Sequence, residues 1–258
     1  MRRLTFIYFS ATGTTQRCAR IIGESMGITI ERDINLACNH ETDFPFYTKE
    51  DVVVVAVPVY GGRVPEKVAK TLGRLRSNGA EAVIVAVYGN RDYDDALLEL
   101  RDIISSRGFS IIGAAATVAQ HAIFPKVAAH RPDKKDVELL EDFAKSCRRR
   151  MEGGAPYAKI DVKGNFPYKK YGGVPLHPKG ERSLCTNCGE CVIKCPEGAI
   201  DSKDPCSTDK NKCISCCRCI AVCPREARKF SGIKYNIAGK LFVSANSSRK
   251  EPEFFIAG

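Results

Sequence analysis

The sequence predicts an α/β protein with a doubly wound, five-stranded parallel sheet, followed by a small α+β domain rich in cysteine. Apolar strand-like runs alternate with amphipathic helix-like runs at first, which is typical of a parallel sheet covered on both faces. A stretch rich in glycine and proline then precedes eight regularly spaced cysteines. We therefore expect a first domain at 1–152, a linker at 153–180, a cysteine-rich domain at 181–230 and a tail at 231–258 that packs on the domains.

The elements of the first domain are predicted in strict alternation. Apolar runs predict strands at 4–9, 28–32, 52–57, 82–88 and 110–116. Amphipathic runs predict helices at 14–26, 65–76, 93–107 and 134–151. The run at 52–57 is apolar without alternation, as in a strand buried on both faces, so we expect it at the centre of the sheet.

Composition and charge exclude several classes of protein. Apolar residues make up 44% of the chain, which excludes general disorder. No apolar run approaches the roughly 18 residues of a membrane-spanning helix, so we expect no membrane span and a cytoplasmic location. In the cytoplasm, 13 cysteines indicate metal binding rather than disulfides. The net charge of +10 comes without a recognition motif, so we do not expect nucleic-acid binding.

The cysteine-rich domain contains the same run twice. Each run has the spacing Cys-x2-Cys-x2-Cys-x3-Cys-Pro. In bacterial ferredoxin runs of this spacing, three cysteines of one run and the fourth of the other bind each [4Fe-4S] cluster. The sequence therefore predicts a ferredoxin-like domain with two clusters. The expected ligands are Cys185, Cys188, Cys191 and Cys223 for one cluster, and Cys213, Cys216, Cys219 and Cys195 for the other.

Zinc is the alternative metal, because cysteine also forms closed tetrahedral zinc sites. Such sites use well-separated pairs of cysteines, whereas these cysteines come in triplets, which favours clusters. Five cysteines fall outside the pattern, and we interpret them as spare or buried thiols. They are Cys18, Cys38, Cys147, Cys206 and Cys217. Because Cys217 is adjacent to Cys216, only the spacing indicates that Cys216 rather than Cys217 is the ligand.

A loop rich in hydroxyl groups follows the first predicted strand and opens the first helix. It reads Ser10-Ala11-Thr12-Gly13-Thr14-Thr15. Backbone N–H groups at a helix start bind anions, and four hydroxyls add further donors. An ordinary helix N-cap would need only one serine or threonine. The loop therefore predicts a phosphate site formed by Ser10, Thr12, Gly13, Thr14 and Thr15.

This loop resembles the phosphate loop of flavodoxin, which binds FMN. The resemblance implies a flavodoxin-like fold with FMN at the carboxyl ends of neighbouring strands. Two more loops leave predicted strands at that edge, and we expect both to contact the flavin. Their residues are Pro58, Val59, Tyr60, Gly61, Gly62 and Arg63 in one loop, and Tyr88, Gly89, Asn90, Arg91 and Tyr93 in the other.

Three side chains could act near a flavin, and Arg63 and His121 are the sharpest candidates among them. Tyr60 offers an aromatic ring for stacking. Arg63 offers a cation which, beside the N1/O2 edge of the ring, would raise the flavin potential. His121 follows the last predicted strand and could approach the site, with an ordinary solvated histidine as the alternative.

Over nearly its full length the chain resembles the EFR1 family of fused flavodoxin–ferredoxin proteins. The resemblance rests on the two cysteine runs and on residues 10–15, 60–63, 89–91, 130–133 and 163–167. The second run departs from the commonest form at Ser215, Cys217 and Arg228. These departures remove no ligand, and we expect them to act on cluster potential or packing.

The resemblance implies an electron-transfer protein that passes electrons between FMN, two [4Fe-4S] clusters and external redox proteins. An FMN-dependent reductase of a small molecule, supplied with electrons through the clusters, is the alternative. A sensor or scaffold with structural clusters is a third class. We identify no catalytic residues and no nicotinamide-binding motif. The sequence leaves the oligomeric state open, a homodimer included.

Overall fold

The computed structural model describes residues 2–38 and 43–258. Its elements follow the predicted alternation and extend it into the tail. They are β1 (Arg3–Tyr8), α1 (Thr14–Ser25), β2 (Thr29–Asn35), β3 (Phe46–Tyr47), β4 (Asp51–Pro58), α2 (Glu66–Leu72), β5 (Arg76–Ser77), β6 (Glu81–Tyr88), α3 (Ala96–Ser106), β7 (Ser110–Val118), α4 (Lys134–Glu152), β8 (Lys179–Gly180), α5 (Glu190–Ile193), α6 (Arg218–Ala221), β9 (Arg228–Lys229), α7 (Ile233–Ala245) and β10 (Glu253–Ile256).

In the described residues, the main sheet has the strand order β10-β7-β6-β4-β1-β2. The five predicted strands pair in parallel. Counted along the chain, these five have the order 2-1-3-4-5, which is that of flavodoxin-like doubly wound folds. The predicted flavodoxin-like α/β fold is therefore confirmed. As predicted, the strand β4 lies at the centre, and all its residues are buried.

Helices cover both faces of this sheet. The helices α1 and α4 pack on one face, where Ile22 and Phe143 belong to the apolar core. The helix α3 packs on the other face, where Leu97 and Ile104 are fully buried. Because both faces are covered, the strands read as continuous apolar runs rather than alternating ones.

The sheet has one strand more than the five that the sequence predicts. The short strand β10, from the tail, pairs antiparallel with the edge strand β7. Phe254 lies opposite Ala115, and its ring stacks on Phe143 with 4.9 Å between centroids. The extra strand was missed because it has only four residues and its partner strand lies far away in the sequence.

The linker lies along α3. Asp95 accepts hydrogen bonds from the backbone N–H groups of Asn165 and Lys169, both at 2.7 Å. The hydroxyl of Tyr168 donates to Asp102 at 2.6 Å, and that of Tyr171 donates to Glu99 at 2.9 Å. Carboxylates of one helix therefore hold the linker, although it has little regular structure.

The cysteine-rich domain is built from two short helices, α5 and α6, and the antiparallel pair β8–β9. It is a small α+β unit, as predicted. It packs against the carboxyl edge of the main sheet, where Cys216 joins the apolar core of the first domain. Among the described residues, no helix combines the length and the apolar character that a membrane crossing requires.

Candidate cofactor sites

The eight cysteines of the two runs line two separate cavities. One cavity is lined by the first quartet, which we define as Cys185, Cys188, Cys191 and Cys223. The other is lined by the second quartet, defined as Cys195, Cys213, Cys216 and Cys219. Each run thus contributes three thiols to one cavity and its fourth thiol to the other. This is the crossed grouping that the spacing predicts.

The backbones of the two runs match position by position. Asn187 and Ser215 occupy equivalent positions, with φ of 56° and 55°. Gly189 and Cys217 are also equivalent, with φ of 77° and 65°. A non-glycine residue rarely adopts such a φ. Cys217 therefore has the same backbone conformation as Gly189, although glycine would adopt it at lower energetic cost.

Cys217 is buried and packs with Ile123, Phe124 and Val127 of the first domain. Its Sγ lies 3.4 Å from the carbonyl oxygen of Ser215. It also borders the cavity of the second quartet. The departure from glycine therefore adds an apolar contact between the domains.

The second quartet has two buried thiols, Cys216 and Cys219, whereas the first quartet has one, Cys191. Burial raises the pKa of Cys216 to about 12 and that of Cys219 to about 11. In the first quartet, Cys188 is exposed, while Cys185 and Cys223 are half-buried. Buried thiols with a raised pKa stay protonated unless a positive centre binds them as thiolates, and the iron of a cluster is such a centre.

Packing accounts for the other buried cysteines, which are Cys18, Cys147 and Cys206. Cys18 and Cys147 are buried between the main sheet and its helices, and burial raises the pKa of each to about 12. Cys206 is buried next to Cys185 of the first quartet. Cys38 is exposed, and its Sγ accepts a hydrogen bond from Arg218.

A third cavity, the edge cavity, lies at the carboxyl edge of the sheet and has a volume of about 120 Å³. All three loops predicted to bind the flavin contribute to it, together with the loop after β7. The predicted flavin-binding residues that line it are Thr12, Thr14, Thr15, Pro58, Val59, Tyr60, Gly61, Tyr88 and Gly89. The remaining walls are formed by Ala11, Val87, residues 119–123, Val174, Ile214 and Ser215.

The hydroxyl-rich loop is built as an anion site would require. Gly13 has a φ of 93° and turns the chain into α1. Ser10 is buried, and its Oγ accepts a hydrogen bond from the N–H of Gln16 at 3.1 Å. In the part of the chain that the structure describes, the hydroxyls of Thr12, Thr14 and Thr15 have no protein partner. Three donors at a helix start therefore remain available to a ligand.

Arg63 does not line the edge cavity, contrary to our expectation. Its guanidinium is buried and donates two hydrogen bonds of 2.8 Å to the carboxylate of Glu99. It also lies 4.1 Å above the ring of Tyr171 and donates to the carbonyl of Lys169. Arg63 therefore binds the linker to α3, and its position gives no support to a role beside the flavin ring.

The loop after β6 also differs from expectation, because its polar side chains have partners outside the edge cavity. Asn90 donates to the carbonyls of Asn246 and Ser248, both at 2.8 Å. Arg91 forms an ion pair with Asp94. Tyr93 is buried against Tyr88, and Gly62 packs against Asp94. None of Gly62, Asn90, Arg91 and Tyr93 lines the edge cavity.

His121 lines the edge cavity and is largely buried. Burial lowers its pKa to about 4, so the imidazole is neutral at neutral pH. Its Nδ1 accepts hydrogen bonds from the N–H groups of Ile123 and Phe124 at 3.2 and 3.0 Å. The ring also fills the space beside Gly89, where a Cβ would lie 2.4 Å from the His121 Cδ2. His121 is thus a fixed part of the cavity wall.

Sequence reasoning missed the residues that the cysteine-rich domain adds to this site. Ile214 and Ser215, from the second run, line the edge cavity. Arg218 follows them, and its guanidinium donates to the carbonyl of Ala11 in the hydroxyl-rich loop at 3.2 Å. The Nε atom of Arg218 is buried and has no partner among the described residues. No local pattern reveals such contacts, because they depend on how two domains pack.

Comparison with known proteins finds similarity in both parts of the chain. A family model described as "4Fe-4S binding domain" matches residues 180–201, which contain the first cysteine run. Flavodoxin 1 of Escherichia coli K12 is 29% identical over 130 residues, which cover 46% of this chain and 70% of that protein. The chain therefore joins a flavodoxin-like domain to a region of the 4Fe-4S type.

Solved structures align with the first domain at low identity. A flavodoxin from the domain Archaea gives 14% identity and a TM-score of 0.42, over 59% of this chain and 99% of its own.

 The oxidised Flavodoxin 2 from Bacillus cereus gives 16% identity and a TM-score of 0.43, over 58% of this chain and 99% of its own. Rubredoxin oxygen:oxidoreductase from Desulfovibrio gigas gives 19% identity and a TM-score of 0.44 over 59% of this chain, but this chain spans only 37% of its length. The fold assignment therefore rests on the strand order itself.

Proposed function

We propose that this chain is an electron-transfer protein that binds FMN in the edge cavity and one [4Fe-4S] cluster in each cysteine quartet. One observation carries the proposal. The second run, which supplies three thiols of the second quartet, also supplies Ile214 and Ser215 to the wall of the edge cavity. A flavin in that cavity would therefore lie against the loop that holds a cluster.

The residues of the edge cavity fit FMN. The free hydroxyls of Thr12, Thr14 and Thr15, with the start of α1, suit a phosphate. Tyr60 also lines the cavity, and its aromatic ring suits stacking on the flavin. Burial, with the nearby thiols of Cys216 and Cys217, raises the pKa of its hydroxyl. When bound, FMN would supply a two-electron centre next to carriers of single electrons.

The two quartets suggest an order of sites from the surface inward. The first quartet lies at the surface, where Cys188 is exposed, whereas the cavity of the second quartet shares Ile214 and Ser215 with the edge cavity. Leu184 and Ile193 are exposed apolar residues in the chain around the first quartet, at 39% and 72%. We infer that external redox proteins, donor and acceptor alike, approach on this side. This arrangement also fits membership of the EFR1 family.

A reductase of a small molecule is the second candidate, and one cleft favours it. The cleft has a volume of about 720 Å³ and shares Tyr60 and Gly61 with the edge cavity. Its lining carries two more lysines than glutamates, and this excess of positive charge suits an anionic substrate. The lysines are Lys67, Lys70, Lys210 and Lys212, the glutamates are Glu66 and Glu197, and Lys70 pairs with Glu66. Rapid reoxidation of the reduced protein by small anionic acceptors, without any protein partner, would favour this candidate over the carrier.

The direct test is cofactor analysis of the full chain purified without oxygen. The proposal predicts about eight iron atoms, about eight sulfide ions and one FMN per chain. Zinc in place of iron would contradict the clusters, and failure to bind added FMN would contradict the flavin site. Each result can occur without the other, so the two halves of the proposal are tested separately.

A further inference from the structure

Arg228 is a buried arginine that has no carboxylate partner among the described residues. It is 2% exposed and lies on β9, shortly after the last cysteine of the second run. Its guanidinium donates to the carbonyls of Pro178 at 2.9 Å and Ser207 at 3.3 Å, and also to Pro205 and Thr208. All these acceptors are carbonyl or hydroxyl oxygens, so no acidic side chain neutralises the charge through these bonds.

The guanidinium lies beside the cavities of both quartets. Arg228 lines the cavity of the first quartet. The cavity of the second quartet is lined by Pro178 and Thr208, and both accept hydrogen bonds from the Arg228 guanidinium. One cation therefore borders both quartets.

A buried cation is costly unless an opposite charge lies nearby. The Nε atom of Arg228 is buried and has no hydrogen-bond partner among the described residues. Carbonyl dipoles satisfy the other nitrogens in part, but they bring no net charge. Four thiolates around a [4Fe-4S] core give an anionic complex, so a cluster in each quartet would supply the missing negative charge.

We propose that Arg228 sets the reduction potentials of both clusters from a single position between them. This inference rests on the proposed presence of the two clusters. Reduction adds one electron to a cluster and makes its complex more negative, with no bond formed or broken. A fixed cation stabilises the more negative state, so Arg228 raises both potentials. Arg228 coordinates no iron and acts on the clusters only through its charge.

The alternative is that Arg228 only ties the linker to the domain through its carbonyl contacts. A purely structural arginine would support both clusters without moving their potentials. The two interpretations differ in what happens when the charge is removed while the clusters stay bound.

The experiment compares Arg228→Gln, which removes the charge, with Arg228→Lys, which keeps it. The midpoint potential of each cluster is measured by redox titration followed by electron paramagnetic resonance. We expect Arg228→Gln to lower both potentials by at least a tenfold change in the one-electron equilibrium, which equals 59 mV. Arg228→Lys is expected to shift them by much less.

The neighbouring Lys229 provides a matched control, because its side chain is exposed and pairs with Glu181. Lys229→Gln should leave both potentials near the wild-type values, since solvent screens its charge. Unchanged potentials in Arg228→Gln with both clusters bound would overturn the proposal. Loss of the clusters in Arg228→Gln and Arg228→Lys alike would also overturn it, because Arg228 would then be needed to hold the clusters. If only Arg228→Gln loses the clusters, the potentials of Arg228→Lys decide. Potentials near the wild-type values in Arg228→Lys would support the role of the charge, and lowered potentials would contradict it.

Discussion

The two cysteine quartets share one spacing and one backbone, yet their surroundings differ. The first quartet faces solvent through Cys188, whereas the second lies against the first domain, where Cys216 is part of the apolar core. At the position of Glu190 in the first run, the second run has Arg218, which reaches the hydroxyl-rich loop. Spacing therefore determines which thiols group together, and the residues between the cysteines determine what each group faces.

The largest expected effect concerns the choice of ligand in the second run. Cys216→Ala should abolish the cluster of the second quartet and roughly halve the iron content, because a thiolate ligand is lost. Cys217→Ala should retain about eight iron atoms, since Cys217 packs against Phe124 and lies outside the spacing. Iron analysis of both variants tests this. Equal iron loss in the two variants would contradict the assigned ligands.

The next effect concerns the linker that joins the two domains. Arg63→Ala leaves Glu99 buried without its partner, which should destabilise the first domain by about 3 to 5 kcal/mol. Thermal unfolding measures this loss. Lys70→Ala, which breaks an exposed ion pair with Glu66, should cost at most about 1 kcal/mol.

The flavin potential gives a second measurement on Arg63→Ala. We expect it to stay unchanged at temperatures where the variant is folded, because Arg63 contacts Glu99 and Tyr171 rather than the edge cavity. A lowered flavin potential would restore the role beside the ring that the sequence suggested.

A smaller effect concerns the pH dependence of stability. It involves His121, which lines the edge cavity together with Ile214 and Ser215 of the second run. The folded pKa of His121 is lowered to about 4, below the ordinary 6.5, so protonation favours the unfolded chain. The stability of the first domain should therefore fall by about 2 to 3 kcal/mol as the pH drops from 6.5 to 4. Denaturant unfolding across this pH range measures the change.

Protonation of His121 would also remove the acceptor for the N–H groups of Ile123 and Phe124. His121→Asn offers an amide oxygen as a non-titrating acceptor. In this variant the loss of stability between pH 6.5 and 4 should be smaller by the amount that His121 contributes. An unchanged pH dependence would show that another group is responsible.

The smallest effect concerns Arg218 and the phosphate. With its free Nε and its contact to Ala11, Arg218 lies where it can favour an anion in the hydroxyl-rich loop. Arg218→Gln should weaken FMN binding about tenfold, equal to about 1.4 kcal/mol, and change riboflavin binding less than about twofold. Glu190→Gln, at the equivalent position of the first run, is the control. Equal weakening of FMN and riboflavin would show that Arg218 acts on the fold alone.

Much of this organisation could be predicted from the sequence, because it is encoded locally. Continuous apolar runs identified the parallel strands, and the cysteine spacing identified both quartets. The strand β10 could not be predicted, since four residues carry little signal. The roles of Arg63 and Asn90 were missed for another reason: their partners lie in the linker and the tail. The contributions of Ile214 and Arg218 to the edge cavity depend on how the two domains pack.

The central claim is that the second quartet, and not the first, lies next to the flavin. The most direct test is flash reduction of the flavin in anaerobic protein, followed by the absorbance of the remaining cluster. Cys188→Ala, which disrupts the first quartet, should leave the rapid electron exchange between flavin and cluster intact. Cys213→Ala, which disrupts the second, should slow it strongly. Rapid exchange in Cys213→Ala together with slow exchange in Cys188→Ala would contradict the account.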